Sequence, residues 1–195
     1  AFYNCSGLKS ITIPNSVKTI GNSTFYGCIG LLSISIPNNV TGINSSTFYN
    51  CNSLKSAVIP NSVTMIYDNA FYGCTNLMSV TIPNSVTSID VQAFYNCSNL
   101  KSVTIGNSVT SIAQNAFSNC RNLDKIICLA DEPIILSNNP FPCDTIYVPT
   151  EAVNDYKSAN YWKQHLILPF ENAVAISADN RSEEHTSELQ SPIYI

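Results

Sequence analysis

Phe71-Tyr72-Gly73-Cys74-Thr75-Asn76-Leu77-Met78-Ser79-Val80-Thr81-Ile82-Pro83-Asn84-Ser85-Val86-Thr87-Ser88-Ile89 is one unit of a pattern that recurs in phase along the chain. Phe falls at Phe2, Phe25, Phe48, Phe71, Phe94 and Phe117, always at the same interval. Cys follows three places later in each unit, at Cys5, Cys28, Cys51, Cys74, Cys97 and Cys120. Leu8, Leu31, Leu54, Leu77, Leu100 and Leu123 hold the same register. Inside the unit, Val80, Thr81 and Ile82 alternate as a half-buried strand must. Pro83 ends that strand, because it brings no N–H to a ladder. Pro14, Pro37 and Pro60 repeat the stop, and Gly106 replaces it in the fifth unit. Val86 and Ile89 supply a second apolar pair on the opposite wall, and Phe94 opens the next coil at a tight, 3₁₀-like corner.

A fixed period in the range of about 20–29 residues marks a leucine-rich-repeat solenoid. The expected fold is mostly β and right-handed, with 23-residue coils, parallel strands and a small α/β C-terminal cap. One coil cannot shield its own apolar layer, so coils stack about 4.8 Å apart and bury a continuous column. Asn15, Asn38, Asn61, Asn84 and Asn107 recur just after the strand. They read either as a side-chain hydrogen-bond ladder or as plain turn formers.

These residues resemble the BspA-type leucine-rich-repeat family, whose units look like IPxSVTxIxxxAFxxCxxLxxV. Ile82-Pro83-Asn84-Ser85-Val86-Thr87-Ser88-Ile89 and Ala93-Phe94-Tyr95-Asn96-Cys97-Ser98-Asn99-Leu100 carry the likeness, which covers residues 1–128. The resemblance implies a secreted or cell-surface protein of bacteria or protists, often adhesive. It brings no catalytic residue to carry over.

The expected organisation is an array of about six coils over 1–128, a cap over 129–170 and a linker over 171–180. In the cap, Ile146-Tyr147-Val148 reads as a strand and Thr150 as the N-cap of a short helix. Tyr156, Trp162 and Ile167 are expected to cover the last coil. Arg181 to Ser191, translated back through suitable codons, spells a common sequencing-library adapter. Residues 181–195 are therefore expected to be an artefact tail, with the natural frame running on. The chain opens inside a unit at Ala1-Phe2-Tyr3-Asn4-Cys5, so any leader peptide is expected upstream.

Charged residues make up 11% of the chain and the net charge is −4. That charge provides no basic stripe for nucleic acid. No run of about 18 apolar residues offers a membrane span. Of the eight cysteines, six sit one per coil with parallel Cα–Cβ vectors, which favours a buried ladder of free thiols over disulfides. Cys128 and Cys143 stand outside it and remain free to pair or not. No C-x-x-C metal spacing, phosphate-binding loop or paired-carboxylate motif occurs. His165 has no evident nucleophile beside it, and Asp68, Asp90, Asp124, Asp131 and Asp144 are scattered. No catalytic, metal or cofactor site is assigned. Sequons at Asn4, Asn22, Asn39, Asn44 and Asn96 matter only in a glycosylating host. The Tyr of each Phe-Tyr pair reads as a packed corner residue or an aromatic stripe.

The outward strand positions form the candidate ligand-contact face. Its first column is Lys9, Leu32, Lys55, Met78, Lys101 and Asp124; its second is nearly all Ser and ends at Lys125. A wide, shallow, weakly charged sheet suits contact with an extracellular or host protein, or a glycan. The alternatives are a stiff spacer that presents another domain, or the non-catalytic part of a larger enzyme.

Overall fold

The structure is a computed structural model, and residues 1–169 are described. The expected linker and artefact tail lie outside the described residues. The chain winds as a parallel β-solenoid of about six coils, closed by a cap with one short helix. Its front wall carries β1 (Ser33–Ser35), β3 (Ser56–Val58), β5 (Ser79–Ile82), β7 (Ser102–Ile105) and β9 (Lys125–Cys128). The back wall carries two-residue strands: β2 (Gly42–Ile43), β4 (Met65–Ile66), β6 (Ser88–Ile89), β8 (Ser111–Ile112) and β10 (Ile135–Leu136). Pairing shifts by one sequence period from coil to coil, as in Val80↔Val103 and Ile89↔Ile112. Like residues therefore meet like, and each wall keeps its inside and outside.

The core is a set of vertical columns. Phe25, Phe48, Phe71, Phe94 and Phe117 are all buried, with neighbouring rings nearly parallel and centroids 5.1–5.4 Å apart. Each buried ring contributes about 1.5–3 kcal/mol through removal from water. The residues that open the next coil form a corner whose N–H groups alternate in direction. Phe71 N–H crosses to Ala93 O at 2.7 Å, Tyr72 N–H turns back to Asn69 O at 3.1 Å, and Gly73 N–H crosses to Tyr95 O at 2.8 Å. This alternation requires left-handed residues, at Asn69 (φ 57°) and Gly73 (φ 69°) in that coil. The corner is therefore a run of turns interrupted by left-handed residues, not a 3₁₀ helix. Gly73 answers a second demand as well: a Cβ there would collide with Asn50 Oδ1.

The front wall divides. β1 and β3 form one sheet, while β5 begins a second that continues through β7, β9, β11 (Thr145–Val148) and β12 (Leu166–Pro169). No ladder joins β3 to β5. At that point Ala57 stands in a column otherwise filled by Ile34, Val80, Val103 and Ile126. The coil at the exposed end also has no ladder strand, and its Ile11 and Ile13 are half-buried.

Beyond β9 the strict period gives way. Ile135 pairs with Ser111 across a step longer than the period, and Ile146 with Ile126 across a shorter one. Phe141 nevertheless extends the ring column, 5.6 Å from Phe117, and Trp162 follows at 5.5 Å. Tyr156 Oη donates toward the carbonyls of Ala130 and Glu132, at 3.2 and 3.0 Å, and Trp162 Nε1 donates to Ile134 O at 2.7 Å. The last coil's carbonyls are thus capped by polar tips whose aromatic bodies cover its core. Thr150 is not an N-cap. It begins a 3₁₀ turn, Thr150–Ala152, that runs into α1 (Val153–Ser158), and no side chain caps either element.

Truncating a ring in the column should be far costlier than trimming the outer face. Phe71→Ala is expected to lose about 3–5 kcal/mol and Thr81→Ala no more than about 0.5 kcal/mol. Urea unfolding of both variants measures this, and equal midpoints would contradict the assignment of inside and outside.

Candidate functional site

The front wall presents its outward columns as expected. Lys9, Leu32, Lys55, Met78, Lys101 and Asp124 are all exposed, and Lys125 beside them is half-buried. Burial pulls the Lys125 ammonium below the ordinary lysine value, and the neighbouring Asp124 carboxylate opposes that shift. Lys9, Lys55 and Lys101 have no acidic partner among the described residues. Leu32 and Met78 leave 46% and 53% of their surface in water, so the column alternates free cations with apolar side chains.

The hydroxyls separate the two walls. On the back wall, Thr64, Thr87 and Thr110 each donate to the threonine carbonyl one coil earlier, at 3.1–3.2 Å. On the front wall, the hydroxyls of Ser33, Ser56, Ser79, Ser102, Thr81 and Thr104 make no side-chain hydrogen bond among the described residues. The back wall uses its polar groups to hold the stack together, and the front wall leaves its own available. An apolar residue, also placed outward by strand alternation, stands among them. Val58, 62% exposed, interrupts the column of Thr12, Ser35, Thr81 and Thr104.

Tyr3, Tyr26, Tyr49, Tyr72 and Tyr95 form a second aromatic stack at the corner, with centroids 4.5–5.0 Å apart. The rings spend their faces on one another, so the stripe shows solvent its edges and hydroxyls. That geometry favours the packed-corner reading over an aromatic platform. The stack ends where Ser118 replaces Tyr, and Asn119 Nδ2 donates to Tyr95 Oη at 2.7 Å. For the asparagines after the strand, the bonds found from coil to coil join side chain to backbone. Asn84 Oδ1 accepts the Asn107 N–H at 3.0 Å, but the side-chain ladder runs through Asn76, Asn99 and Asn122 at steps of 3.3 Å.

All eight cysteines are free thiols. Cys28, Cys51, Cys74, Cys97 and Cys120 are buried, and each donates its S–H to a Phe carbonyl of the preceding coil at 3.0–3.2 Å. They are more than small hydrophobes. Phe71 O, for example, accepts Cys74 N–H in its own coil and Cys97 Sγ–H from the next. Cys5 departs from the expectation of a six-membered buried ladder: it sits in the outermost coil and is exposed. Cys128 and Cys143 stay apart as thiols. Burial first, then the nearby Cys143, raise the Cys128 thiol, and Cys143 donates its S–H to Thr145 O at 3.6 Å.

His165 places Nδ1 2.8 Å from Cys143 O and Nε2 3.0 Å from Asn139 Oδ1, so it packs within the cap. Of the scattered carboxylates, Asp90 lies close enough to Asp68 to be affected by it. Burial first, then the Asp68 charge, raise the Asp90 carboxyl above its ordinary value, and Ser88 opposes them. Asp68 Oδ1 is already held by Val91 N–H at 3.1 Å. Among the described residues, no grouping of His, Cys, Asp and Glu suits a metal ion, and no helix is long and apolar enough to cross a membrane.

The sequence profile of BspA type leucine-rich repeat regions matches residues 1–127 in six copies. No curated protein matches the chain. Three solved structures share the fold. A T. pallidum leucine-rich-repeat protein is 24% identical, with TM-score 0.55 over 77% of this chain and 63% of its own. The pneumococcal vaccine antigen PcpA is 20% identical, with TM-score 0.63 over 80% and 40%. A leucine-rich-repeat protein from Bacteroides ovatus is 26% identical, with TM-score 0.56 over 76% and 51%. The chain thus spans less than two thirds of each relative's length.

Burial raises the Cys51 thiol to about 12 and lifts Cys74 and Cys97 as well, largely by excluding water from the thiolate. Alkylation of the native protein near pH 8 should therefore spare Cys51, Cys74 and Cys97, and burial should shield Cys120. Denaturant without reductant should expose all of them. Peptide mass spectrometry reads the result, and a Cys51–Cys74 cross-link would contradict it.

Proposed function

We propose, from the premise that this chain belongs to the BspA-type leucine-rich-repeat family, that its front wall is a non-catalytic recognition surface for a protein or glycan outside the cell. Arrays of this family are typically non-catalytic binding proteins. One observation carries the assignment to the front wall: Lys9, Lys55, Lys101 and its serine and threonine hydroxyls make no side-chain bond among the described residues, whereas the back wall's threonines are committed to the stack. A polar ligand group meeting those side chains displaces water and breaks no side-chain hydrogen bond among the described residues. The first column adds discrimination, because it changes from coil to coil through Lys9, Leu32, Lys55, Met78, Lys101 and Asp124 while its Ser neighbour hardly varies. A ligand lying along the axis meets cation, apolar group and cation at successive coils. Similarity to a vaccine antigen, PcpA, supports a place at the cell surface or in the medium.

A second reading has its own support. The repetition of the Phe, Cys, Leu and Ser columns from coil to coil fits a stiff spacer, which needs no variation on any face.

The two readings separate by measurement. The chain is presented to panels of extracellular proteins and immobilised glycans beside a Lys9→Ala/Lys55→Ala/Lys101→Ala variant and a Lys18→Ala control on the other wall. The triple variant is expected to weaken binding at least about tenfold, as loss of about 1.4 kcal/mol does, with Lys18→Ala unchanged. If the triple variant binds every ligand as the unaltered chain does, or if no ligand is found, the spacer reading stands instead.

A further inference from the structure

The division of the front wall between β3 and β5 leaves a groove of about 480 Å³. Its floor is Ala57, Ile59 and Ile82, residues that face the core in the general pattern of the coil. A smaller equivalent of about 290 Å³ lies between the first two coils, where Ile11 and Thr12 stand in place of Ala57 and Val58, and the larger groove accompanies two changes in the third coil. Its strand reads Ser56-Ala57-Val58-Ile59 where the next coil reads Ser79-Val80-Thr81-Ile82. The inward position has lost its branched side chain, and the outward position has exchanged a hydroxyl for an isopropyl group. A small residue inside and an apolar one outside both work against stability. Such departures from local consistency are where function is expected to lie.

The rim fixes the chemistry of an occupant. Ser56, Ser79 and Thr81 offer hydroxyls, and Asn61 offers a carboxamide. None of these four side chains makes a hydrogen bond among the described residues. Asn84 adds a second carboxamide, whose Oδ1 already holds the Asn107 N–H. Groups of this kind both donate and accept, which suits a ligand rich in hydroxyls and amides. No charged side chain lines the groove, so a charged ligand group would lose water without gaining a counter-charge. The volume lies within the range of about 300–1,000 Å³ common for small-ligand pockets.

We infer that this groove is a subsite for one neutral N-acetylated sugar residue of a glycan, with the acetyl methyl on the Ala57 floor and the amide and hydroxyls toward the rim. The inference rests on the front wall being the recognition surface and names a ligand class for one part of it. An acetamido sugar joins a methyl, an amide and several hydroxyls in one uncharged unit, which is the combination the groove presents. Outside the groove, the Ser33 and Ser102 hydroxyls on either side lie on the path of neighbouring sugar units.

The test uses the full chain with N-acetylglucosamine and its β-1,4-linked trimer as probes, and glucose and N-acetylneuraminic acid as controls. Binding is followed by nuclear magnetic resonance titration. The trimer is expected to bind, with glucose and the charged sugar at least tenfold weaker. Ala57→Val refills the inward column, so it should reduce trimer binding at least tenfold while raising the thermal midpoint by about 2–4 °C. Asn61→Leu, which disturbs no internal hydrogen bond, should weaken binding with the midpoint unchanged. Trimer binding that survives both substitutions overturns the proposal, as does equal binding of glucose. If no sugar binds while a protein ligand still depends on Lys9, Lys55 and Lys101, the subsite is refuted and the wider reading of the front wall stands.

Discussion

Every column in this solenoid depends on one agreement of lengths. Backbone ladders between parallel strands repeat at about 4.8 Å, and aromatic rings pack in parallel at nearly the same spacing. The Phe and Tyr columns, at 5.1–5.4 and 4.5–5.0 Å, satisfy both demands together. An inserted residue in any coil would put rings, thiols and hydrogen bonds out of step at once. The corner tightens this dependence. Its left-handed residues aim N–H groups alternately inward and across, and a buried Phe carbonyl receives a backbone N–H from one coil and a thiol from the next. Serine offers a similar donor at that position, but with a more strongly hydrated group to bury. Cysteine supplies the donor at a lower desolvation cost.

The same economy separates the two walls. Threonine hydroxyls on the back wall close onto carbonyls of the preceding coil, whereas serine and threonine on the front wall remain open to solvent. A solenoid needs only its inner columns and one hydrogen-bonded surface to hold together. The other surface is then free to vary, and variation there is tolerated because each outward side chain touches few neighbours.

Period, inward columns and strand faces were legible because one rule, like on like in successive coils, fixes all of them. Features that depend on side-chain rotation were not. The asparagine ladder formed at Asn76, Asn99 and Asn122 and not at Asn61, Asn84 and Asn107, since each column offers amides at the same pitch and only local backbone direction chooses between them. The thiol bonds were hidden for the same reason: the column was readable, but the aim of each S–H was not. Phe141 was missed because it lies one residue out of phase, where the cap changes coil length. Cys5 follows the repeat in sequence but lacks the packing that buries its counterparts. Within the candidate site, Lys9, Leu32, Lys55, Met78, Lys101 and Asp124 came from strand alternation alone. The groove at Ala57 was not legible, because a small residue in an apolar column can be absorbed by its neighbours or can open the sheet.

The direction of the hydrogen bonds between coils also has a mechanical meaning. They lie along the solenoid axis, so a pull applied from end to end loads one interface after another in series. The interface that yields first releases one whole coil, a length of roughly 75–85 Å when drawn out at about 3.3–3.6 Å per residue. While stacked, that coil occupied only about 4.8 Å of the axis. A tether of this design lengthens in discrete steps many times its layer thickness, and the coils still folded keep their surface intact.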